Sequence, residues 1–146
     1  ALIFTALAFI LNLENTGVSN FCISMSGACI GFLLLNKNPA KIFMGDAGSL
    51  SIGACLAAIA LLTNHLLILL IMGGIFFFES ISVIIQVAIF KITKQITGQG
   101  YRVFKMAPLH HHFELSGLKE HAIVKSFWII TLGLILISVF FFLKPL

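Results

Sequence analysis

Five apolar stretches run along the chain, at residues 1–11, 17–35, 49–63, 66–90 and 122–143, with polar breaks between them. A membrane span needs about 20 apolar residues, and helices are the simplest way to satisfy backbone hydrogen bonds in lipid. The pattern therefore predicts an all-α fold, a polytopic transmembrane helix bundle. Stretch 1–11 is too short to cross and is expected to be the end of a helix that begins before Ala1. No basic region precedes it, so it does not read as a cleavable leader. Stretches 17–35 and 49–63 are short and rich in Gly, Ala, Ser and Cys. Small residues let membrane helices pack closely, which predicts interior positions for both. Stretch 66–90 exceeds an ordinary span and is expected to tilt, bend or protrude.

The breaks differ in charge. Segment 12–20 carries Glu14 and no Lys or Arg, and the turn at Asn64–His65 carries neither. Segment 36–48 has Lys37 and Lys41; segment 91–121 has Lys91, Lys94, Arg102, Lys105 and Lys119, with Lys125 just beyond. Lys144 lies in the tail, so alternating sides hold eight and one of the nine basic residues. The excess of Lys and Arg on cytoplasmic loops predicts that 36–48 and 91–121 are cytoplasmic. It places 12–20, the 64–65 turn and the C-terminus outside.

Composition agrees. The chain is 60% hydrophobic and 10% charged, whereas soluble domains carry roughly 25% charged residues. The bilayer is the solvent, and the formal charge of +4 reflects topology rather than a nucleic-acid partner. Cys22, Cys29 and Cys55 lie in apolar stretches with no Cys-x-x-Cys pair, and read as packing residues. No repeat or low-complexity linker divides the chain, so residues 1–146 are expected to be one domain, with part of it absent.

Polar clusters lie in both basic loops. In the first, Asp46 stands at the mouth of a helix between Gly45 and Gly48. One reading makes it a Mg²⁺ ligand, since such sites use one or two carboxylates plus substrate phosphates. The other makes Asp46 or Ser49 a helix cap. The second cluster is Pro108-Leu109-His110-His111-His112-Phe113-Glu114. Adjacent side chains point in different directions, so three neighbouring imidazoles do not readily converge on one zinc ion. Separate roles on phosphate oxygens or carboxylates compete with a plain solvated loop. The cations at 91, 94, 102 and 105 either fix topology or attract polyanionic substrates or anionic lipid heads. Glu79, Ser82 and Gln86 share one face of the fourth stretch. That face is either a polar stripe toward a site or hydrogen-bonding glue between helices.

The string Asn36-x-x-Pro39-Ala40-x-x-Phe43-Met44-Gly45-Asp46-x-Gly48-Ser49-Leu50 resembles a signature of the polyprenyl-phosphate hexosamine-1-phosphate transferase superfamily. Phe104-x-Met106-Ala107-Pro108-Leu109-His110-His111-His112-Phe113-Glu114 and Glu79-Ser80-x-Ser82-Val83-Ile84-x-Gln86-Val87 resemble its muramoyl-pentapeptide branch. The resemblance implies a ten-helix fold, often homodimeric, of which this chain supplies about the last four and a half helices. It implies transfer of phospho-N-acetylmuramoyl-pentapeptide from UDP to undecaprenyl phosphate, with release of UMP, in peptidoglycan synthesis. Mg²⁺ is the implied cofactor. The implied location is the bacterial inner membrane, with the active site at the cytoplasmic face.

By the same resemblance Asp46 is the Mg²⁺-binding carboxylate. Phe43 lines the uracil pocket, Asn36 sits in the nucleotide-sugar site, and Gln86 approaches the cleft. His110, His111 and His112 line that cleft beside the diphosphate and sugar. Two elements of the family are missing from this sequence, an Asp-Asp pair and an Asp-Gly-x-Asp-Gly segment. The chain alone is therefore expected to be inactive. A related UDP-N-acetylhexosamine transferase, a membrane transporter, a membrane scaffold and a zinc protein are the competing readings.

Overall fold

The computed structural model describes residues 1–11, 16–37 and 39–142. The expectations resting on Glu14 and Lys144 lie outside the described residues. Seven helices order the described chain: α1 (Leu2–Leu11), α2 (Thr16–Asn36), α3 (Asp46–Leu62), α4 (Leu66–Met72), α5 (Gly74–Thr97), α6 (Leu109–Glu114) and α7 (Glu120–Phe142). Helices α2, α5 and α7 are each long and apolar enough to cross a membrane. The chain packs as two compact units, Ala1–Met72 with the residues from Leu134 onward, and Gly73–Gly133.

In the first unit α1 packs on α2. The buried residues of α1 are Ile3, Phe4, Leu7 and Ala8, one stripe at helical spacing. They meet the small buried side chains Ser19, Cys22 and Ser26 of α2, spaced so that two helix backbones can approach. Hydroxyls tie the pair: Thr5 Oγ1 donates to Ser26 Oγ at 2.9 Å, and Ser26 Oγ also reaches the carbonyl of Ala1 at 3.3 Å. Ile59, Ile68, Met72 and Ile135 complete this core. Most other large apolar side chains, such as Leu34, Leu62 and Phe141, are exposed, as suits a fold whose surroundings are lipid.

Three helix boundaries differ from the hydropathy pattern. Helix α3 begins at Asp46 rather than Ser49, because the N–H groups of Gly48 and Ser49 already bond to the carbonyl of Gly45. The stretch 66–90 is interrupted at Gly73, so one expected helix is two. Glycine is costly inside a helix, and Gly73–Gly74 places two together. Beyond the interruption α5 runs seven residues past Phe90, through Lys91 and Lys94, and stops where Gly98 adopts a left-handed φ of 74°. A helix needs no apolar side chains to continue, whereas a left-handed glycine ends it.

The second unit consists of α5, a non-helical return segment 98–108, α6 and the first part of α7. The return segment runs back along α5, held on a single face of that helix. The N–H of Tyr101 donates to Thr93 Oγ1 at 2.8 Å. Gly100 lies so close to Phe90 that an added Cβ would sit 2.3 Å from the ring. The guanidinium of Arg102 lies 5.9 Å from the centre of the same ring, within cation–π range. Gln86 pairs with Phe104 in both directions: its Nε2 donates to the Phe104 carbonyl at 3.0 Å, and its Oε1 accepts the Phe104 N–H at 2.9 Å. Residues 79, 86, 90 and 93 recur at helical spacing, so four successive anchors form a ladder that ends at Glu79.

Candidate active site

Helix α6 carries the three histidines, and the ladder delivers it to Glu79. Glu79 Oε1 accepts the backbone N–H of His110 at 3.1 Å, and Oε2 lies 3.2 Å from His110 Nδ1. His111 Nδ1 lies 2.7 Å from Glu114 Oε2, one helical turn away. His112 Nδ1 accepts the N–H of Lys105 at 3.1 Å, and its ring meets Phe104 edge-on at 5.8 Å.

These contacts set the tautomers. An ionised carboxylate only accepts hydrogen bonds, so His110 and His111 each donate from Nδ1. In the neutral rings that leaves Nε2 as the free lone-pair nitrogen. His112 is the reverse: its Nδ1 is an acceptor, so its neutral ring carries hydrogen on Nε2. Two acceptors and one donor thus stand on less than two turns of helix. The rings of His110 and His111 lie 4.2 Å apart. All three are partly exposed. Each imidazole therefore has a different partner.

A cavity of ≈ 400 Å³ opens beside this cluster, lined mainly by apolar atoms of Ile75, Phe76, Pro108 and Ile123, with Glu79 and His110 among its polar groups. An acid in a membrane helix normally faces a cavity or a partner, and Glu79 has both. The sequence reading offered Glu79 as stripe or glue. It is the anchor of His110, and the signal available beforehand was its sevenfold spacing from Gln86.

The first unit holds Asn36, Phe43 and Asp46. Asn36 ends α2, and its Nδ2 donates to the carbonyl of Ile42 at 2.8 Å, which folds the loop back on the helix end. Phe43 is 84% exposed, so its ring offers an open face for stacking. Asp46 occupies the first turn of α3, behind the extended residue Gly45. Neither Asp46 nor Ser49 caps the helix: Gly45 holds the cap position without a side-chain bond, and Ser49 Oγ donates to the Asp46 carbonyl at 3.3 Å. The Asp46 carboxylate is exposed and makes no hydrogen bond or ion pair within the described residues.

Those features fit one share of a Mg²⁺ site: a hard oxygen donor, unpaired within the described residues and open to solvent and to phosphate. No group of three or more His, Cys, Asp or Glu among the described residues could hold a metal by itself. Gln86 is engaged on both sides of its amide by Phe104, which makes it a holder of the return segment. It keeps one N–H and one lone pair for any further partner.

A family model described as glycosyl transferase family 4 matches residues 1–64. Phospho-N-acetylmuramoyl-pentapeptide-transferase of Prochlorococcus marinus strain NATL2A is 59% identical over 98% of this chain and 40% of its own length. Proteins of the same name from Prochlorococcus marinus strain SARG and Synechococcus sp. strain CC9311 are 59% and 57% identical, over 95% and 99% of this chain. The chain spans about 40% of the length of these curated relatives. With three helices able to cross a membrane, it is a multi-pass membrane protein.

Proposed function

Because the chain is homologous over 98% of its length to phospho-N-acetylmuramoyl-pentapeptide-transferases, we propose that it is part of an enzyme of that activity. The enzyme would move phospho-N-acetylmuramoyl-pentapeptide from UDP to undecaprenyl phosphate, and release UMP. The observation that carries this reading is 59% identity over 98% of the chain, a match long enough to span both candidate segments. The location would be the bacterial cytoplasmic membrane, as a homodimer. The eight-to-one partition of basic residues supports a cytoplasmic site at 36–48 and 91–121.

In this reaction an oxygen of the lipid phosphate attacks the phosphate nearer the sugar. A new P–O bond forms, the P–O bond to UMP breaks, and UMP leaves with the electron pair. Positioning and electrostatic stabilisation do most of the work in phosphoryl transfer. His110 would accept a hydrogen bond or proton at Nε2, with Glu79 holding the ring and its Nδ1–H. His112 would donate from Nε2 to a phosphate oxygen. Phe43 would stack on uracil, and Asn36 would shape the loop that carries it. Asp46 would hold Mg²⁺, which when bound neutralises phosphate charge and eases departure of UMP. Since one carboxylate is a partial metal site, the chain alone would not turn over.

Replacing the matching segment of the Prochlorococcus marinus relative with this chain tests the reading. Lipid-linked product from UDP-N-acetylmuramoyl-pentapeptide, and not from UDP-N-acetylglucosamine, is expected. Equal use of both donors would assign a sister activity instead.

A further inference from the structure

The second unit carries charge that the proposed chemistry leaves unused. Between Ser80 and Phe113 there are four cations, Lys91, Lys94, Arg102 and Lys105, and no Asp or Glu. The acids that flank this stretch, Glu79 and Glu114, are both bonded to histidines. Lys91 and Lys94 are exposed, and their ammonium groups make no hydrogen bond or ion pair within the described residues. Lys105 Nζ reaches only the backbone carbonyl of Leu115, at 3.3 Å.

The same region is apolar on another side. At 100° per residue, Lys91 and Lys94 share one flank of α5, while Ile92 and Ile96 lie on the opposite flank, 54% and 77% exposed. Tyr101, Val103 and Met106 of the return segment are exposed as well. Helix α5 meets the length and hydropathy of a crossing, but its second half bears the non-helical segment 98–108. Irregular backbone does not face hydrocarbon; it lies at a membrane surface or lines a cavity. A helix with cations on one flank and large apolar side chains on the other suits the headgroup layer.

We propose that this surface docks the anionic phospholipid headgroups of the leaflet in which it sits. The cations would meet lipid phosphates while Ile92 and Ile96 reach toward the acyl chains. Each basic side chain near an anionic surface is worth roughly a fivefold preference. The inference needs only the membrane setting, so it stands or falls separately from the transferase reading.

Native mass spectrometry of the purified chain in non-ionic detergent tests it. The chain is titrated with phosphatidylglycerol or with phosphatidylcholine of identical acyl chains. Phosphatidylglycerol adducts are expected to exceed phosphatidylcholine adducts at least fivefold. Lys91→Gln with Lys94→Gln, whose ammonium groups make no hydrogen bond or ion pair within the described residues, should lower the excess at least fivefold with helix content unchanged by circular dichroism. Lys91→Arg with Lys94→Arg should keep it. Equal adducts of the two lipids, or an excess that survives the glutamine variant, would overturn the proposal. So would loss of the excess on adding inorganic phosphate but not equal chloride, since that would mark a site for free phosphate.

Discussion

Glu79 holds His110 at two points, the backbone N–H at 3.1 Å and the ring Nδ1 at 3.2 Å, across 31 residues of sequence. One carboxylate therefore fixes both the start of α6 and the tautomer of its first histidine. The Glu79 side chain is 16% exposed, so its two bonds are largely sheltered from water.

Glu79→Ala should release α6 from α5. Loss of a sheltered charged acceptor costs about 1–3 kcal/mol, and hydrogen exchange at the His110 amide should quicken accordingly. Glu79→Gln keeps an acceptor for that amide, so protection there should largely persist. The carboxylate facing Nδ1 is lost, and turnover of the full enzyme should fall while KM changes little. Unchanged exchange in the alanine variant would show that the contact does not hold the helix.

Gly100→Ala should disturb the ladder through space alone. Its Cβ would lie 2.3 Å from the Phe90 ring, and such overpacking costs about 1–3 kcal/mol. Thermal unfolding in detergent should show a lower midpoint. Phe90→Leu in the same chain should restore part of it, and additive losses would contradict the contact.

Gln86→Ala removes both bonds to Phe104, and exchange at the Phe104 amide should rise. Gln86→Glu keeps the acceptor for that amide but loses the donor to the carbonyl. It should therefore lie between the wild type and the alanine variant. Equal behaviour of the two variants would mean that the acceptor bond to the Phe104 amide contributes nothing.

The apolar runs located α2, α5 and α7 because lipid demands continuous apolar side chains. The polar stretches were harder. Asp46 and Gly48 looked like loop, yet the bond from Ser49 N–H to the Gly45 carbonyl makes them helix. Lys91 and Lys94 looked like the start of a loop, yet α5 continues to Thr97. The histidine triplet was visible as chemistry, and adjacency alone argued for separate roles. Its partners were not visible. Glu79 is 31 positions from His110, and Lys105 contributes a backbone N–H that no side-chain pattern encodes. Only the shared face of Glu79 and Gln86 hinted that α5 organises the site.

The central claim is that Asp46 and the α6 histidines serve phosphoryl transfer, and the most direct measurement is UMP release by the chimeric relative carrying this chain. Mg²⁺-dependent release is expected, falling on the order of a hundredfold or more in Asp46→Asn. The fold should be unchanged, because the Asp46 carboxylate is exposed and makes no hydrogen bond or ion pair within the described residues. A folded chimera that releases no UMP, or an Asp46→Asn variant that releases it at the parent rate, would contradict the account.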